Sequence, residues 1–284
     1  MLYFIGLGLG DEKDITVRGL EAVRKCKRVF LEMYTSILAT PKERLEELYD
    51  KKIEVADRET VESNADLILN NAHEDDVAFL VVGDPFGATT HTDMILRAKQ
   101  RGIPFSVIHN ASIMNAIGCC GLQLYNYGQS VSICFFTETW RPDSFYDKIA
   151  FNVKGGLHSL CLLDIKVKEP NLDAMMRGKV VYDPPRYMTV NQAVEQLLEV
   201  SDKKRDAGET PVYDRKTIAA GLARVGQSDQ RIISGTLEEL LTADFGAPLH
   251  SLVLAGTMHI LEIEMLASFA VNPQTFVPLL ESHR

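Results

Sequence analysis

At 284 residues the chain has room for one large domain or two of ordinary size, and it needs no disulfide or metal staple to fold. Apolar residues at 46% and charged residues at 24% are ordinary globular values. A formal net charge of −9 speaks against a partner gripped by its phosphate backbone, so no nucleic acid partner is expected.

The opening lacks a basic segment, its apolar stretch is interrupted by glycines, and no apolar run approaches ~18 residues. A cytoplasmic protein without a membrane span is therefore expected. The 5 cysteines are odd in number and lack metal-ligand spacing, and the 7 histidines form no ligand pattern, so no metal is expected. Cys134 and Cys161 fall in apolar runs and read as small core residues.

Leu2-Tyr3-Phe4-Ile5 runs into Gly6-Leu7-Gly8-Leu9-Gly10-Asp11, and Thr16 follows as an N-cap for a helix from Val17. Strand, glycine loop and helix together build a nucleotide site, because glycine removes the Cβ that keeps a ligand off the backbone. A dinucleotide fingerprint needs G-x-G-x-x-G, and here the third glycine comes one residue early with Asp11 in its place. Glu32 stands about where a ribose-binding acid would, yet it reads better as a surface acid closing a strand.

Strand-like and helix-like segments then alternate along the whole chain, which predicts an α/β fold. Strands are expected over Tyr3–Leu7, Arg28–Leu31, Lys52–Val55, Val77–Val82 and Phe105–Ile108. Most are continuous apolar runs, as in a sheet covered on both faces. Helices are expected near Val17–Lys25, Pro41–Tyr49, Arg58–Asn71 and Thr90–Arg101. In the second half strands are expected over Val131–Phe136, Leu157–Asp164, Thr217–Ala223, Gln230–Ile233 and Ser251–Ala255.

The best helix there runs from Val190 to about Asp206, opened by Thr189 and Gln192 in a capping-box pattern. The final helix, Met258–Ala270, is apolar on much of its surface and reads as core or a subunit interface. The polar stretch 166–186 reads as an excursion on one face. The basic clusters Arg24-Lys25-Cys26-Lys27-Arg28 and Lys203-Lys204-Arg205 read as solvated helix ends. A change of texture near 110–128 divides the chain into an N-terminal α/β domain, 1–113, and a C-terminal α/β domain, 114–284.

Further constellations could carry chemistry. Phe79-Leu80-Val81-Val82 leads into Gly83-Asp84-Pro85-Phe86-Gly87-Ala88-Thr89-Thr90-His91, another strand ending in a glycine turn, where ligands of open α/β sheets sit. Asp84 either accepts a bond from a ligand or bonds its own turn. In His109-Asn110-Ala111-Ser112-Ile113, Ser112 either bonds a ligand or caps a helix. Gly221-Leu222-Ala223-Arg224-Val225-Gly226 and Pro248-Leu249-His250-Ser251 are bland singly, and His250 alone reads as a structural histidine.

Taken in order, these segments resemble a known family. The opening resembles the GxGxGD…LT signature of the tetrapyrrole methylase superfamily, with Thr16 as its threonine and Leu9 where many members carry proline. Gly83-Asp84-Pro85 resembles that superfamily's GDP turn. Within it the whole chain is similar to the diphthine synthase family, through the five segments just quoted.

The resemblance implies two α/β domains with the donor in the cleft between them, assembled as a homodimer. It implies an S-adenosylmethionine-dependent methyltransferase whose protein substrate is translation elongation factor 2, at a histidine carrying a 3-amino-3-carboxypropyl group. Carried across by position, the donor contacts are Leu9, Asp84, Gly87, Ser112, Ile113, Leu163, Val225 and His250. Leu9 for proline leaves the first loop less constrained. The length and the polar 166–186 stretch favour a fourth methylation, on the carboxylate, giving a methyl ester.

Methyl transfer from a sulfonium to an amine needs donor and acceptor held in line, and no nucleophilic Ser, Cys or metal. A base would help deprotonate the ammonium form, and Asp84, His91 and His109 are the nearest by motif. The competing readings are an RNA or small-molecule methyltransferase of the same superfamily, a tetrapyrrole methylase, a non-catalytic donor-binding module and a dinucleotide oxidoreductase.

Overall fold

The structure is a computed structural model that describes all residues except 39, 90, 170, 172–174, 180, 283 and 284. The chain divides into two compact units: Met1–Ala116 with Val225–Ser228, and Ile117–Arg224 with Asp229–Arg284. The texture change reads 113 as the boundary; the chain itself turns at 116, and a four-residue piece from the second half belongs with the first unit.

The first unit contains β1 (Leu2–Gly6), β2 (Arg28–Glu32), β3 (Glu54–Ala56), β4 (Val77–Val81) and β5 (Phe105–Ile108). They form a parallel sheet in the order β3-β2-β4-β1-β5. Alternate residues feed opposite faces. Leu2, Phe4, Val77, Phe79 and Val81 join one core cluster, and Ile5, Ala78 and Leu80 join another.

The second of those clusters is covered by α1 (Val17–Lys25) and α2 (Lys42–Tyr49), through Ala22, Val23, Leu45 and Tyr49. The first cluster is covered by α3 (Arg58–Glu62), α4 (Asp66–Leu69) and α5 (Thr92–Gln100), through Val61, Ile68, Leu69, Met94, Ile95 and Ala98. Burial on both faces is why these strands read as unbroken apolar runs. The connections leaving the neighbours β1 and β4 thus go to opposite faces, which opens a crevice at their carboxyl ends.

Thr16 caps α1 as expected, its Oγ1 accepting from the Gly19 amide at 3.0 Å. The single helix expected over Arg58–Asn71 is two short ones, the first capped at Ser63 and the second ending before the left-handed Asn71, φ 59°. A last short helix, α6 (Ile113–Ala116), closes this unit.

The second unit contains β6 (Val131–Ile133), α7 (Ser144–Lys154), β7 (Ser159–Leu163) and a small hairpin, β8 (Ile165–Lys166) with β9 (Arg186–Tyr187). It continues with α8 (Val190–Asp206), β10 (Ile218–Ala223), β11 (Arg231–Thr236), α9 (Leu237–Leu240), β12 (His250–Leu254), α10 (Ile260–Ala267) and α11 (Val277–Glu281). The main sheet has the order β11-β10-β12-β7-β6, antiparallel except for the β6–β7 pair. Helices α7 and α8 bury Phe145, Tyr146, Ile149, Val194, Leu197 and Leu198 against it.

The Thr189–Gln192 capping box is present, with both reciprocal bonds made. Helix α7 has no counterpart in the sequence reading. Strand β6 stops three residues earlier than expected, because the Phe135 amide donates to Asp164 Oδ2 at 3.0 Å and the Phe136 amide to Gln196 Oε1 at 2.9 Å. Side chains there replace a strand partner. Cys161 is a core residue as expected, whereas Cys134 is only partly buried. The polar stretch 166–186 falls partly outside the described residues.

Candidate functional site

The carboxyl ends of β1 and β4 carry the two glycine loops, and the backbone stitches them together. The Leu7 amide donates to Val81 O at 2.9 Å, Gly8 N to Gly83 O at 3.2 Å, and Gly83 N to Gly8 O at 2.8 Å. Gly8 and Gly83 have φ of 76° and 79°, a region that favours glycine. A Cβ on Gly6 would stand 2.6 Å from Gly83 O, so the approach itself demands glycine. Leu9 rides on the 225–228 piece: a Cβ on Gly226 would lie 2.9 Å from Leu9 Cβ, and one on Gly10 would lie 2.8 Å from Gly226 O. Val225 is thereby brought to the first loop.

Asp84 straps the second loop to the end of β5. Its Oδ1 accepts from the Phe86 amide at 2.9 Å; its Oδ2 accepts from the Asn110 amide at 3.0 Å and lies 2.8 Å from His109 Nδ1. Burial works to raise its pKa, but the amides of Phe86 and Asn110 and the His109 ring outweigh it and hold the carboxyl below its ordinary value. Asp84 is thus an anion made stable by its donors, which weakens it as a proton acceptor. The Phe86 bond is the turn role foreseen for it, and the bonds to the β5 end go beyond that role.

Gly87 lies against Ser112, where an added Cβ would come within 2.3 Å of the serine Oγ. Ser112 is buried and acts as a cap: its Oγ accepts from the Met114 amide at 3.2 Å, and its own amide donates to Asn115 Oδ1 at 2.8 Å. Ile113 follows as the first residue of α6.

Two residues that the sequence reading passed over complete the loops. Asn110 Nδ2 donates to Gly6 O at 3.0 Å and to Asp14 O at 2.9 Å, and Asp14 Oδ2 accepts from the Gly10 amide at 2.8 Å. The carboxylate holding the first loop is therefore Asp14, while Asp11 is exposed and turned to the Lys13 amide. Asn and Asp beside a glycine loop were the available signal.

His91 does not join the loops as a base. It is 2% exposed, sits edge-on to Phe79 and Tyr34, and its Nε2 is 3.9 Å from Glu32 Oε2. His109, in contrast, is 66% exposed beside Asp84. Glu32 is not a surface acid either. It is fully buried and accepts the Tyr34 amide at 2.8 Å, the Thr35 amide at 2.6 Å and the Thr35 hydroxyl at 2.7 Å. Those donors satisfy a carboxylate that would otherwise be costly to bury. With both oxygens turned to its own strand end, Glu32 offers nothing to a ribose. Thr90 lies outside the described residues.

The second unit brings Leu163 and His250 together. The β7–β12 register pairs Leu162 with Ser251, which sets Leu163 beside His250 at one end of the sheet, next to Ala223 of β10. His250 Nδ1 accepts from the Val190 amide at 3.2 Å, so the ring proton sits on Nε2, 3.1 Å from Ala247 O. Burial pushes its pKa below the ordinary histidine value. His250 is a neutral, oriented ring, the structural histidine expected of it.

Arg224, unnoticed inside the Gly221–Gly226 segment, is buried and clamps the following loop. Its Nε meets Asp229 Oδ2 at 2.6 Å, and its guanidinium donates to Phe245 O at 3.0 Å and to Ala247 O. Among the described residues no group of acidic, histidine or cysteine side chains is placed to hold a metal ion.

This arrangement offers backbone amides and carbonyls around two glycine loops, with small side chains beside them. It suits holding a nucleoside-bearing ligand.

The family model described as Tetrapyrrole (Corrin/Porphyrin) Methylases matches residues 1–241. The chain is 61% identical over 272 residues to a diphthine methyl ester synthase of Bos taurus, covering 95% of each chain. It is 60% identical to the Homo sapiens diphthine methyl ester synthase, again with 95% of each chain covered. A crystal structure assigned to diphthine synthase from Entamoeba histolytica superposes with a TM-score of 0.83 at 51% identity, covering 96% of this chain and 99% of that one.

Proposed function

The chain belongs to the tetrapyrrole methylase family and is an S-adenosylmethionine-dependent methyltransferase, and we propose that it acts in diphthamide biosynthesis on translation elongation factor 2. Its acceptor is the histidine carrying a 3-amino-3-carboxypropyl group. Three methyl groups go to the nitrogen and a fourth to the carboxylate, giving diphthine methyl ester. The observation that carries this reading is the Gly8–Gly83 pairing, which opens main-chain groups at the carboxyl ends of β1 and β4 without obstructing Cβ atoms.

Leu9, Asp84, Gly87, Ser112, Ile113, Leu163, Val225 and His250 are the proposed donor contacts. The donor would supply the electrophilic methyl of its sulfonium. The polypeptide would contribute position: glycine at Gly87 for close approach, and the amides around Asp84 and Ser112 for the polar edge of the ligand. Each nitrogen methylation releases one proton. The exposed His109 imidazole, held at Nδ1 by Asp84, is the described group best suited to receive it.

A homodimer is proposed as the assembly, supported by Leu261 and Met265 of α10, which expose 61% and 41% of their surface. No helix among the described residues is long and apolar enough to cross a membrane, in keeping with the cytoplasmic location proposed here.

Intact-mass spectrometry of unmethylated elongation factor 2, incubated with the protein and S-adenosylmethionine, tests the reading. A gain of four methyl masses, one lost in mild alkali, is expected. A gain of three that resists alkali would remove the ester step. No gain, with the donor still bound, would make the chain a donor-binding module or a methyltransferase of another acceptor.

A further inference from the structure

A cavity of about 580 Å³ lies within the second unit, where β6 gives way to Phe135 and Phe136 and where α8 begins. Its volume falls in the range that holds small organic groups. Its walls adjoin two proposed donor contacts. The Phe135 amide is fixed by Asp164, the residue after Leu163, and Thr189 precedes the Val190 amide that fixes His250. Tyr187, another wall residue, pairs with Ile165 of the β8–β9 hairpin.

Two guanidiniums line this cavity, each laid over a ring. Arg186 stands 4.8 Å from the Phe135 centroid and Arg141 5.7 Å from that of Phe136. Each is also anchored, Arg186 to Glu169 at 2.7 Å and Arg141 to Glu199 and, through Nε, to Thr137 O at 3.2 Å. Ring and carboxylate together fix the plane of each fork while leaving further N–H donors, since a guanidinium has five.

Opposite charge is present too. Glu199 and Glu195 line the same cavity from α8. Both oxygens of Glu199 are already engaged, one by Arg141 and the other by Lys203 at 2.7 Å, whereas no ion pair of Glu195 is found among the described residues. Two guanidiniums with spare donors and one carboxylate without an ion pair, around one small cavity, match a zwitterion better than a simple anion or cation.

We propose that this cavity is the acceptor subsite and takes the zwitterionic amino-carboxylate end of the substrate arm. Arg141 and Arg186 hold its carboxylate, and Glu195 faces its cationic nitrogen. The inference rests on the functional reading above. Each of the first three transfers breaks the donor S–CH3 bond, forms an N–CH3 bond and releases a proton. The ammonium thereby becomes a trimethylammonium of the same charge, and the arm stays a zwitterion that the cavity keeps.

In the fourth transfer a carboxylate oxygen takes the methyl, leaving neutral S-adenosylhomocysteine and an arm with one net positive charge. The ester no longer answers the two guanidiniums, so the completed product is the form the cavity releases.

The test compares wild type with the Arg141→Ala/Arg186→Ala variant on elongation factor 2 carrying the unmethylated arm. Both arginines are solvent-accessible, so their ion pairs contribute little to the fold and the melting temperature should hold. The KM for elongation factor 2 should rise by about tenfold or more, with partly methylated species accumulating and the donor Kd unchanged. The Arg141→Lys/Arg186→Lys variant should recover part of the loss, since charge returns without the planar fork. An alanine variant with wild-type KM and methyl distribution would overturn the subsite alone. A wild type that transfers no methyl to elongation factor 2 would overturn the functional reading and the subsite with it.

Discussion

The glycine loops of the first unit and the buried histidine–glutamate knot of the second solve the same problem by opposite means. Both join segments far apart in sequence. In the first unit Gly8 and Gly83 pair backbone to backbone, and side chains are absent where a ligand would approach. In the second unit the fully buried His158 and Glu262 do the joining, with Nε2 and Oε1 3.1 Å apart. His158 Nδ1 accepts from the Gly256 amide at 2.9 Å. Glu262 accepts from the amides of Gln123 at 2.7 Å and His259 at 2.6 Å. Where function needs bare backbone, adhesion comes from strand geometry. Where function makes no such demand, buried polar side chains fasten the loops.

The largest effect is expected from breaking the knot. Glu262→Ala strands the His158 Nε2–H and the amides of Gln123 and His259, and each buried donor left without an acceptor costs about 1–3 kcal/mol. Urea denaturation should show that loss, with donor affinity at permissive temperature unchanged.

Next comes Gly6→Ala, whose Cβ would meet Gly83 O at 2.6 Å. Overpacking of this kind costs about 1–3 kcal/mol, and prying the two loops apart should weaken the donor more than the melting curve implies. Equal losses in Glu262→Ala and Gly6→Ala on both readouts would erase the distinction between the two regions.

A smaller effect separates the regions by pH. Burial, chiefly, lowers the pKa of both His158 and His250 below the ordinary value of 6.5. The unfolded chain therefore binds protons that the folded chain refuses as pH falls below 6.5. The stability these rings contribute is complete above that value and is lost on acidification toward their folded values. Melting temperature should fall from pH 7 to pH 5, and less steeply in His250→Gln, which removes one of the two titrations.

The same contrast governs what could be read in advance. The strands of the first unit show because burial on both faces leaves unbroken apolar runs, and Thr16 and Thr189 announce their helices through local capping. Glu32 misleads because an acid at a strand end looks solvated; its burial depends on three donors supplied by the turn that follows. Helix α7 escapes because Phe151 and Val153 are exposed on it and blur the apolar face, and Asp143 makes no capping side-chain bond.

His158 and Glu262 stand 104 residues apart, so no local pattern links them. The loops of the candidate site were visible as glycines. Their fasteners, Asn110 and Asp14, act through hydrogen bonds to main-chain groups that no spacing encodes.

The paired glycine loops, with Asp84 shaping the second, are the proposed seat of S-adenosylmethionine. Calorimetric titration of the donor into wild type and Asp84→Ala, with NAD as the control ligand, tests it most directly. Asp84→Ala frees the Phe86 and Asn110 amides, so the donor should bind wild type and bind the folded variant about tenfold more weakly, with NAD inert. Unchanged affinity in a folded Asp84→Ala would show that Asp84 does not shape the donor loop, and binding of NAD in place of the donor would show that the loops hold a dinucleotide.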